Sequence, residues 1–414
     1  MPSSMYRGQL GALVLALIVS VGPAARSAGA GSPQDAPAPS LGPRVSGGGE
    51  ITAVAGPKDD QAFFNYTDYE HNALRVVRVR LLGEWRIWQR LSVLGEVRTE
   101  NGDGVQVPAL FVRWQPWRDR NFDLQIGRVP PVIGSFPRRA YGRDNVVIGS
   151  PLPYQYLISL RPDALPATID QLLRMRGRGW QPSYPIGSQT LGPGIPVVSS
   201  FRWDTGAEAS WRNQRMELAG AVTLGAPATP VVEDPSDGQQ YSGRAAVHLP
   251  GGFTVGVSGA RGAWINRSVM SLVPAELRGR NAQTVAGVDV EAGVGPWLVR
   301  GEWIRSAFTL PFSAEPVQPG PLVAQSGFVE SRYRLHPRWQ LAARVEHLGF
   351  SDVRGTVNGG APTSWEAPVD RVEGIVGFRA LRNLEVRGGY QYNWRDGGRV
   401  HERGYPTVWG LFWF

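Results

Sequence analysis

The sequence predicts an all-β fold, a closed antiparallel barrel of sixteen strands that crosses a membrane. Segments in which apolar and charged residues alternate recur along the chain, as in strands with two different faces. After the N-terminal region, no apolar run reaches the roughly eighteen residues that a transmembrane helix needs. The chain ends on TVWGLFWF, an apolar tail that needs a partner. A closed barrel satisfies every backbone group in lipid without helices, and it gives such a tail a place as a strand.

The N-terminal region has the layout of a secretory signal peptide. Arg7 precedes an apolar run over 10–19, and small residues follow, with a cleavage site expected near Ala28 or Ala30. The run is too short for an uncleaved membrane anchor, which is the alternative. We therefore expect a signal peptide over 1–30, a Pro-rich flexible segment over 31–45 and a transmembrane barrel over 46–414. A chain without cysteine is not a disulfide-stabilised secreted domain.

The segment 73–86 shows the alternation that defines the strands. Val77 and Val79 fall on one parity, whereas Arg78 and Arg80 fall on the other. Counting such segments predicts sixteen strands, at 46–55, 73–86, 91–100, 107–116, 121–128, 202–212, 215–225, 240–249, 253–262, 283–292, 297–306, 324–335, 339–349, 370–380, 383–395 and 404–414.

Alternate connections between these strands are short, and most of the others are long and rich in Pro, Gly, Asp and Ser. This asymmetry is typical of outer-membrane barrels, which have short periplasmic turns and long extracellular loops. Tryptophans near the short turns predict a girdle at the lipid–water boundary. The girdle residues are Trp88, Trp117, Trp211, Trp297 and Trp339. A soluble β-sandwich with buried tryptophans is the alternative, but it would not segregate loop lengths in this way.

The C-terminal segment resembles that of bacterial outer-membrane β-barrel proteins. These proteins commonly end on a Phe preceded by alternating aromatic or aliphatic residues, a signal for barrel closure that the barrel-insertion machinery reads. Phe412 and Phe414 occupy the matching positions, whereas the usual Gly is one place off, at Gly410. The resemblance implies an outer-membrane location in a Gram-negative bacterium. It also implies contacts with outer-membrane lipid, lipopolysaccharide and the insertion machinery.

The connection after the fifth predicted strand, residues 128–201, is too long to lack a function. The chain resembles the general porins, sixteen-stranded and usually trimeric, in which the loop at this place folds into the lumen and narrows it. This resemblance implies a constriction loop and a homotrimer. The connection also predicts a helix near 164–176, capped by Asp163 and ending before Gly177. Its apolar stripe, expected to pack on the inner wall, comprises Leu165, Ile169, Leu172 and Leu173.

Arginine is concentrated in this connection. Residues 128–202 contain nine arginines and three aspartates, a net charge of +6, whereas the whole chain carries +8. Arginines in a narrow pore favour anions, because low-dielectric walls focus their field. We expect the pore constriction and anion path to contain Arg138, Arg139, Arg143, Arg174, Arg176 and Arg178. The alternative is that these arginines lie outside and bind lipopolysaccharide phosphates, or pair with carboxylates of the wall.

Charged residues of both signs alternate on the inward parity of the strands and predict a polar lumen wall. The predicted wall residues are Arg78, Arg80, Glu96, Arg98, Arg300, Glu302, Arg332 and Arg344. The sequence thus predicts a passive diffusion channel for small hydrophilic solutes that prefers anions. A weaker resemblance to phosphate-selective porins, whose site uses lysines, transfers to no residue here, because Lys58 is the only lysine.

Other functions have less support in the sequence. The five histidines show no metal-binding spacing, so no cofactor or metal is expected. His347 with Ser351 is the candidate for a lipid-hydrolase-like enzyme, although one such pair is weak support. A corked structural or adhesive barrel is a further alternative. A receptor with an N-terminal plug lacks the length for its plug domain, and nucleic-acid binding lacks a fold for it.

Overall fold

The computed structural model describes residues 43–57, 64–65, 72–117, 121–140, 142–200, 203–230, 236 and 238–414. In this part of the chain, sixteen antiparallel strands form one closed barrel, which confirms the predicted fold class. The expected signal peptide, most of the Pro-rich segment, Lys58, His71 and Arg202 lie outside the described residues.

Every predicted segment coincides with a barrel strand, with its ends shifted by three residues at most. The strands are β1 Arg44–Ala55, β2 Val76–Trp88, β3 Leu91–Glu100, β4 Gln106–Trp114, β5 Asn121–Val129, β6 Asp204–Arg212, β7 Met216–Leu224, β8 Gln239–Leu249, β9 Phe253–Ala263, β10 Ala282–Val294, β11 Trp297–Phe308, β12 Leu322–His336, β13 Trp339–Phe350, β14 Val369–Leu381, β15 Leu384–Arg395 and β16 Glu402–Trp413.

Short helices and strand pairs occur in the connections at the long-loop end. The helices are α1 Leu152–Gln155, α2 Ile169–Arg174 and α3 Arg267–Met270, and single 3₁₀ turns lie at Pro137–Arg139, Gly142–Asp144 and Ala275–Leu277. Two-residue strands pair Ala164–Leu165 with Ile186–Gly187, and Asp352–Val353 with Thr363–Ser364. None of the described helices is long and apolar enough to cross a membrane.

The helix predicted at 164–176 is shorter than expected, and its cap is wrong. It begins at Ile169, where the hydroxyl of Thr168, rather than Asp163, accepts a backbone hydrogen bond at the N-terminus. Pro166 accounts for the later start, because a residue before proline is disfavoured in the helical conformation. The preceding residues form one of the two-residue strands instead.

Each barrel strand has an apolar outer face and a polar inner face. In β11, Glu302 and Ile304 are buried on the inner face, whereas Trp303 and Arg305 are exposed on the outer face. Exposed valines occur on the outer face of both neighbouring strands, as with Val288 at 46% and Val329 at 57% exposure. This is the distribution that a lipid-covered exterior and a hydrated interior require.

One rung of the inner face alternates in charge over five strands. Glu291 lies opposite Arg300, which lies opposite Glu330, and the series continues through Arg344 to Glu373. The Arg300 Nε lies 2.8 Å from the Glu291 carboxylate, and Arg344 lies 3.4 Å from Glu330 and 3.3 Å from Glu373. The wall therefore neutralises most of its own charge across the strands.

The apolar C-terminal segment closes the barrel. Strand β16 pairs with β1 from Glu50 to Ala55, and Gly49 and Phe414 exchange two backbone hydrogen bonds of 3.0 Å. The tail is thus a strand with partners on both sides, and no free edge remains in the sheet.

Removal of residues 409–414 is expected to prevent assembly of the barrel. It unpairs the β1 backbone from Glu50 to Val54, and unpaired backbone groups are costly in lipid. The measurement is the heat-modifiable band on semi-native gels of membrane fractions, which should fall by about tenfold or more. The variant Val408→Ile keeps the backbone pairing and leaves Phe412 and Phe414 in place, and it should assemble. Normal assembly of the truncated chain would contradict this account of closure.

Candidate functional site

The long connection between β5 and β6 lies against the inner face of the wall. The Glu302 carboxylate on β11 accepts hydrogen bonds from the backbone N–H of Ser135 at 3.1 Å and of Phe136 at 3.2 Å. It also accepts bonds from the hydroxyls of Ser135 and Tyr154. One buried carboxylate thus fixes two separate parts of the connection.

Two further wall carboxylates bind backbone amides of the same connection. Glu373 on β14 accepts hydrogen bonds from the N–H groups of Ile148 and Gly149, each at 2.9 Å. Glu346 on β13 accepts a 2.6 Å bond from the N–H of Leu152. These amides precede or begin α1, so the carboxylates hold this stretch against β13 and β14.

Wall arginines bind the carbonyl groups of the connection. Arg344 donates to the Gly149 carbonyl at 2.6 Å, and Arg371 donates to the Ser150 carbonyl at 3.0 Å. Arg387 on β15 donates to the Asn145 carbonyl at 2.7 Å. Together with the carboxylates, these arginines anchor the connection along the inner face of β11–β15.

On another side of the barrel the lumen contains a cavity of about 640 Å³. It is bordered by β2 and β4–β8, and several inward side chains here are small, including Ala219 and Ser210. Its charged lining consists of five arginines and three carboxylates: Arg80, Arg113, Arg138, Arg212, Arg244, Asp123, Glu208 and Glu217.

Arg113 has the least compensated charge in this lining. It forms no ion pair among the described residues, and its Nε has no hydrogen-bond partner there. Its guanidinium lies 5.8 Å from the ring centroid of Phe111. Arg138, on the long connection, lies 3.9 Å from Glu208, a distance too long for a direct hydrogen bond. Both guanidinium groups therefore have capacity for an anion.

The other arginines of the cavity share their carboxylates. Glu217 lies 3.1 Å from Arg212 and 3.8 Å from Arg244, and Arg244 also lies 2.6 Å from Asp289 behind it. Burial lowers the pKa of Arg138, and repulsion from Arg244 and Arg212 acts in the same direction. An arginine nevertheless stays charged at any physiological pH.

The six arginines predicted for the anion path do not meet at one place. Arg138 lines the cavity, whereas Arg139 forms a 2.5 Å ion pair with Glu291. Arg176 donates to Ser364 and lies 3.3 Å from Asp396, both in connections of the long-loop end. Arg174 and Arg178 are exposed, and the side chain of Arg143 lies outside the described part.

The packing of α2 explains where Arg174, Arg176 and Arg178 lie. The stripe residues Leu165, Ile169, Leu172 and Leu173 are buried. Ile169 and Leu173 lie beside Gly355 in the β13–β14 connection, and the Ile169 N–H donates to Pro316. The helix therefore packs beneath long loops, which leaves its basic end near the loop surface.

All eight predicted wall residues lie on the inner face of the barrel. Arg78 lies 2.6 Å from Glu100, Arg80 lies 2.8 Å from Glu96, and Arg98 is buried. Sequence analysis missed Arg113, Arg212 and Arg244 as residues of the cavity. Their inward parity was available in the sequence, but their shared position around one cavity depends on the barrel.

The five predicted girdle tryptophans lie beside short connections. Trp88, Trp297 and Trp339 are exposed, at 69%, 51% and 46%. Trp297 and Trp339 pack against aromatic rings of the next strand, with centroid distances of 4.5 Å to Tyr333 and 4.6 Å to Phe378. Trp117 is exposed and Trp211 is partly exposed.

The histidine–serine pair considered for hydrolysis is not assembled in the described structure. The His347 Nδ1 lies 2.7 Å from the Asp370 carboxylate on the outer face. The Ser351 hydroxyl accepts a hydrogen bond from the Val323 N–H at 3.1 Å instead. Among the described residues, no group of three or more His, Asp or Glu side chains could hold a metal ion.

Removal of the Glu302 carboxylate is expected to loosen the connection it anchors. In Glu302→Ala the buried N–H groups of Ser135 and Phe136 lose their acceptor, at a cost of about 2 kcal/mol or more. Hydrogen exchange by mass spectrometry should become faster in residues 130–156 and stay unchanged in β13 and β14. Glu276→Ala, in an exposed 3₁₀ turn, is the control. Unchanged exchange at 130–156 would show that this anchor does not hold the connection.

The structure resembles solved barrels of bacterial outer membranes. Outer-membrane expressed OmpT of Vibrio cholerae has a TM-score of 0.54 and 11% identity, covering 91% of this chain and 99% of that one. The anion-selective porin from Comamonas acidovorans has a TM-score of 0.54 and 9% identity, covering 90% and 100%. Salmonella typhi OmpF, in complex with daunomycin, has a TM-score of 0.52 and 11% identity, covering 90% and 98%.

Sequence comparison adds no closer relative, since no protein-family model and no curated protein matches the chain. At 9–11% identity, the structural likeness establishes the fold alone. The chain thus has the sixteen-stranded barrel fold of bacterial outer-membrane porins.

Proposed function

We propose that the protein is a passive diffusion channel for small hydrophilic solutes in the outer membrane of a Gram-negative bacterium, and that it prefers anions. The observation that carries this proposal is the arginine-rich cavity inside the barrel. Its five arginines face three carboxylates, and Arg113 has no carboxylate of its own among the described residues. The anion-selective porin of Comamonas acidovorans, which has the same fold, supports the proposal by analogy only.

The anion preference follows from fixed charge in a confined aqueous space. Along the rung from Glu291 to Glu373, arginines are paired with carboxylates across the strands and contribute little net field. In the cavity, Arg113 and Arg138 have no carboxylate of the described chain at hydrogen-bond distance, so a passing anion supplies the missing countercharge. The same arginines repel a cation. Guanidinium groups also bind carboxylate and phosphate oxygens in bidentate fashion, which favours oxyanions.

We propose no enzymatic role. A serine nucleophile needs a base within hydrogen-bond reach, and His347 and Ser351 are bonded to other groups. A corked barrel is the alternative that the anchored connection favours, because its contacts fix it along β11–β15. The open cavity argues against a complete cork, and zero conductance would support one.

The proposed partners follow from exposed groups and from the fold. OmpT of Vibrio cholerae has also been solved in a trimer form, and we extend a homotrimer to this chain as a proposal. Arg174 and Arg178 are exposed near the long loops, in reach of lipopolysaccharide phosphates. Phe412 and Phe414 are the proposed signal for the insertion machinery. Small anions are the proposed solutes.

Replacement of Arg113 and Arg138 by Gln is expected to reduce the anion preference. The double variant removes the two cavity charges that have no carboxylate within about 3.5 Å, so every arginine that remains has a carboxylate at that distance. The measurement is the zero-current potential across a tenfold KCl gradient in planar bilayers. The wild type should show chloride preference, and the double variant should lose about half of the potential or more.

The matched control is Arg174→Gln with Arg178→Gln, which removes the same charge from the long-loop end. It should leave the zero-current potential nearly unchanged. Cation preference of the wild-type channel would refute the proposed function. A larger effect from the control pair than from the cavity pair would instead place selectivity at α2, as the sequence predicted.

A further inference from the structure

Two inward arginines lie near the short-connection end of β12, away from the cavity described above. Arg332 lies opposite Leu298 and Ala342, and Arg334 lies opposite Gln340. Both arginines have the parity of Glu330, whose side chain faces the lumen, so they lie on the inner face. Neither arginine borders the 640 Å³ cavity. Arg332 is half-exposed and Arg334 is exposed, so both reach water at this mouth of the barrel.

Neither Arg332 nor Arg334 forms an ion pair within the described ranges. The nearby carboxylates are already engaged. Glu330 lies 3.7 Å from Arg300 and 3.4 Å from Arg344.

Glu385 is engaged in the same way. It accepts 2.7 Å hydrogen bonds from Arg387 and from Gln340. Neither carboxylate lies within ion-pair distance of Arg332 or Arg334.

Three other inward guanidinium groups share this end of the barrel with Arg332. Arg334 is two residues further along the same strand, and Arg387 is near the start of β15. Arg300 is two residues from Leu298, which lies opposite Arg332. All four arginines lie in the portions of β11, β12 and β15 nearest the short connections. Like charges gathered without a countercharge repel one another, and an anion bound between them removes this repulsion.

We propose that Arg332 and Arg334 form a second anion site, at the mouth of the barrel on the short-connection side, and that it takes multivalent oxyanions. A divalent oxyanion such as sulfate or phosphate bridges two guanidinium groups with several charge-assisted hydrogen bonds, whereas chloride offers one small acceptor. This inference rests on the proposed channel function, because the site lies on the route by which solutes enter or leave the lumen.

The site makes the two mouths of the channel electrostatically different. Its charge acts within about one Debye length, roughly 10 Å at 0.1 M salt, so it raises the local anion concentration at one mouth only. At low salt the chloride current is therefore asymmetric with voltage. A multivalent oxyanion blocks this current more strongly when it is added to the short-connection side.

The test is sulfate block of chloride current through single channels of known orientation in planar bilayers. The chain has no cysteine. Leu272→Cys, exposed in the β9–β10 connection, can therefore be biotinylated and oriented by adding streptavidin to one chamber. In this background, half-block should need about threefold less sulfate from the short-connection side than from the other side. With Arg332→Gln and Arg334→Gln, half-block from that side should need about fivefold more sulfate, and the sidedness should disappear.

The matched control is Arg90→Gln with Arg215→Gln, which removes two exposed charges from other short connections. It should keep most of the sidedness, and the chloride conductance of each variant confirms that it has folded. Block that is unchanged in the Arg332 and Arg334 variant, or reduced equally in the control, overturns this inference alone. Cation preference of the unmodified channel overturns the proposed function instead, so the two failures are distinguishable.

Discussion

A charged group that is buried on the inner wall of this barrel is shielded from bulk water and needs a countercharge or a hydrogen-bonding group. Removing one partner from a buried pair is strongly destabilising, because the other charge is left uncompensated. Arg344 illustrates the constraint: it is fully buried and lies within 3.4 Å of carboxylates on three strands, Glu330, Glu346 and Glu373. The alternation of charge across the strands satisfies the same requirement elsewhere on the wall.

This constraint also determines where the long connection lies. Its backbone amides and carbonyls supply the remaining partners of Glu302, Glu373 and Arg387. Backbone N–H and carbonyl groups in a barrel interior need hydrogen-bond partners, and so do the buried charges of the wall. The hydrogen bonds between them therefore hold the long connection and orient the wall side chains. Open space remains where the inward side chains are small, at the cavity that contains Arg113 and Arg138.

Sequence reasoning predicts what depends on local periodicity. Period-two alternation predicts the sixteen strands and the inward orientation of residues such as Arg80 and Glu302. The short turns predict where girdle residues such as Trp297 lie. The alternation does not predict which arginines share a cavity, because Arg113 and Arg244 are brought together by the curvature of three intervening strands. The net charge of the long connection does not show which of its arginines face the lumen. Because α2 packs beneath the loops, Arg176 lies beside Asp396 in another loop. Pro166, visible in the sequence, disfavours a helical Leu165, and the Thr168 cap sets the start at Ile169.

The most direct test of the central claim is a crystal structure of the protein with bromide and, separately, with rubidium, both located by anomalous scattering. If the inner wall has uncompensated positive charge in the aqueous lumen, bromide should be found beside Arg113 and Arg138, and rubidium should be absent from that cavity. Rubidium ordered in the cavity, or a lumen with no ordered bromide, would contradict the account.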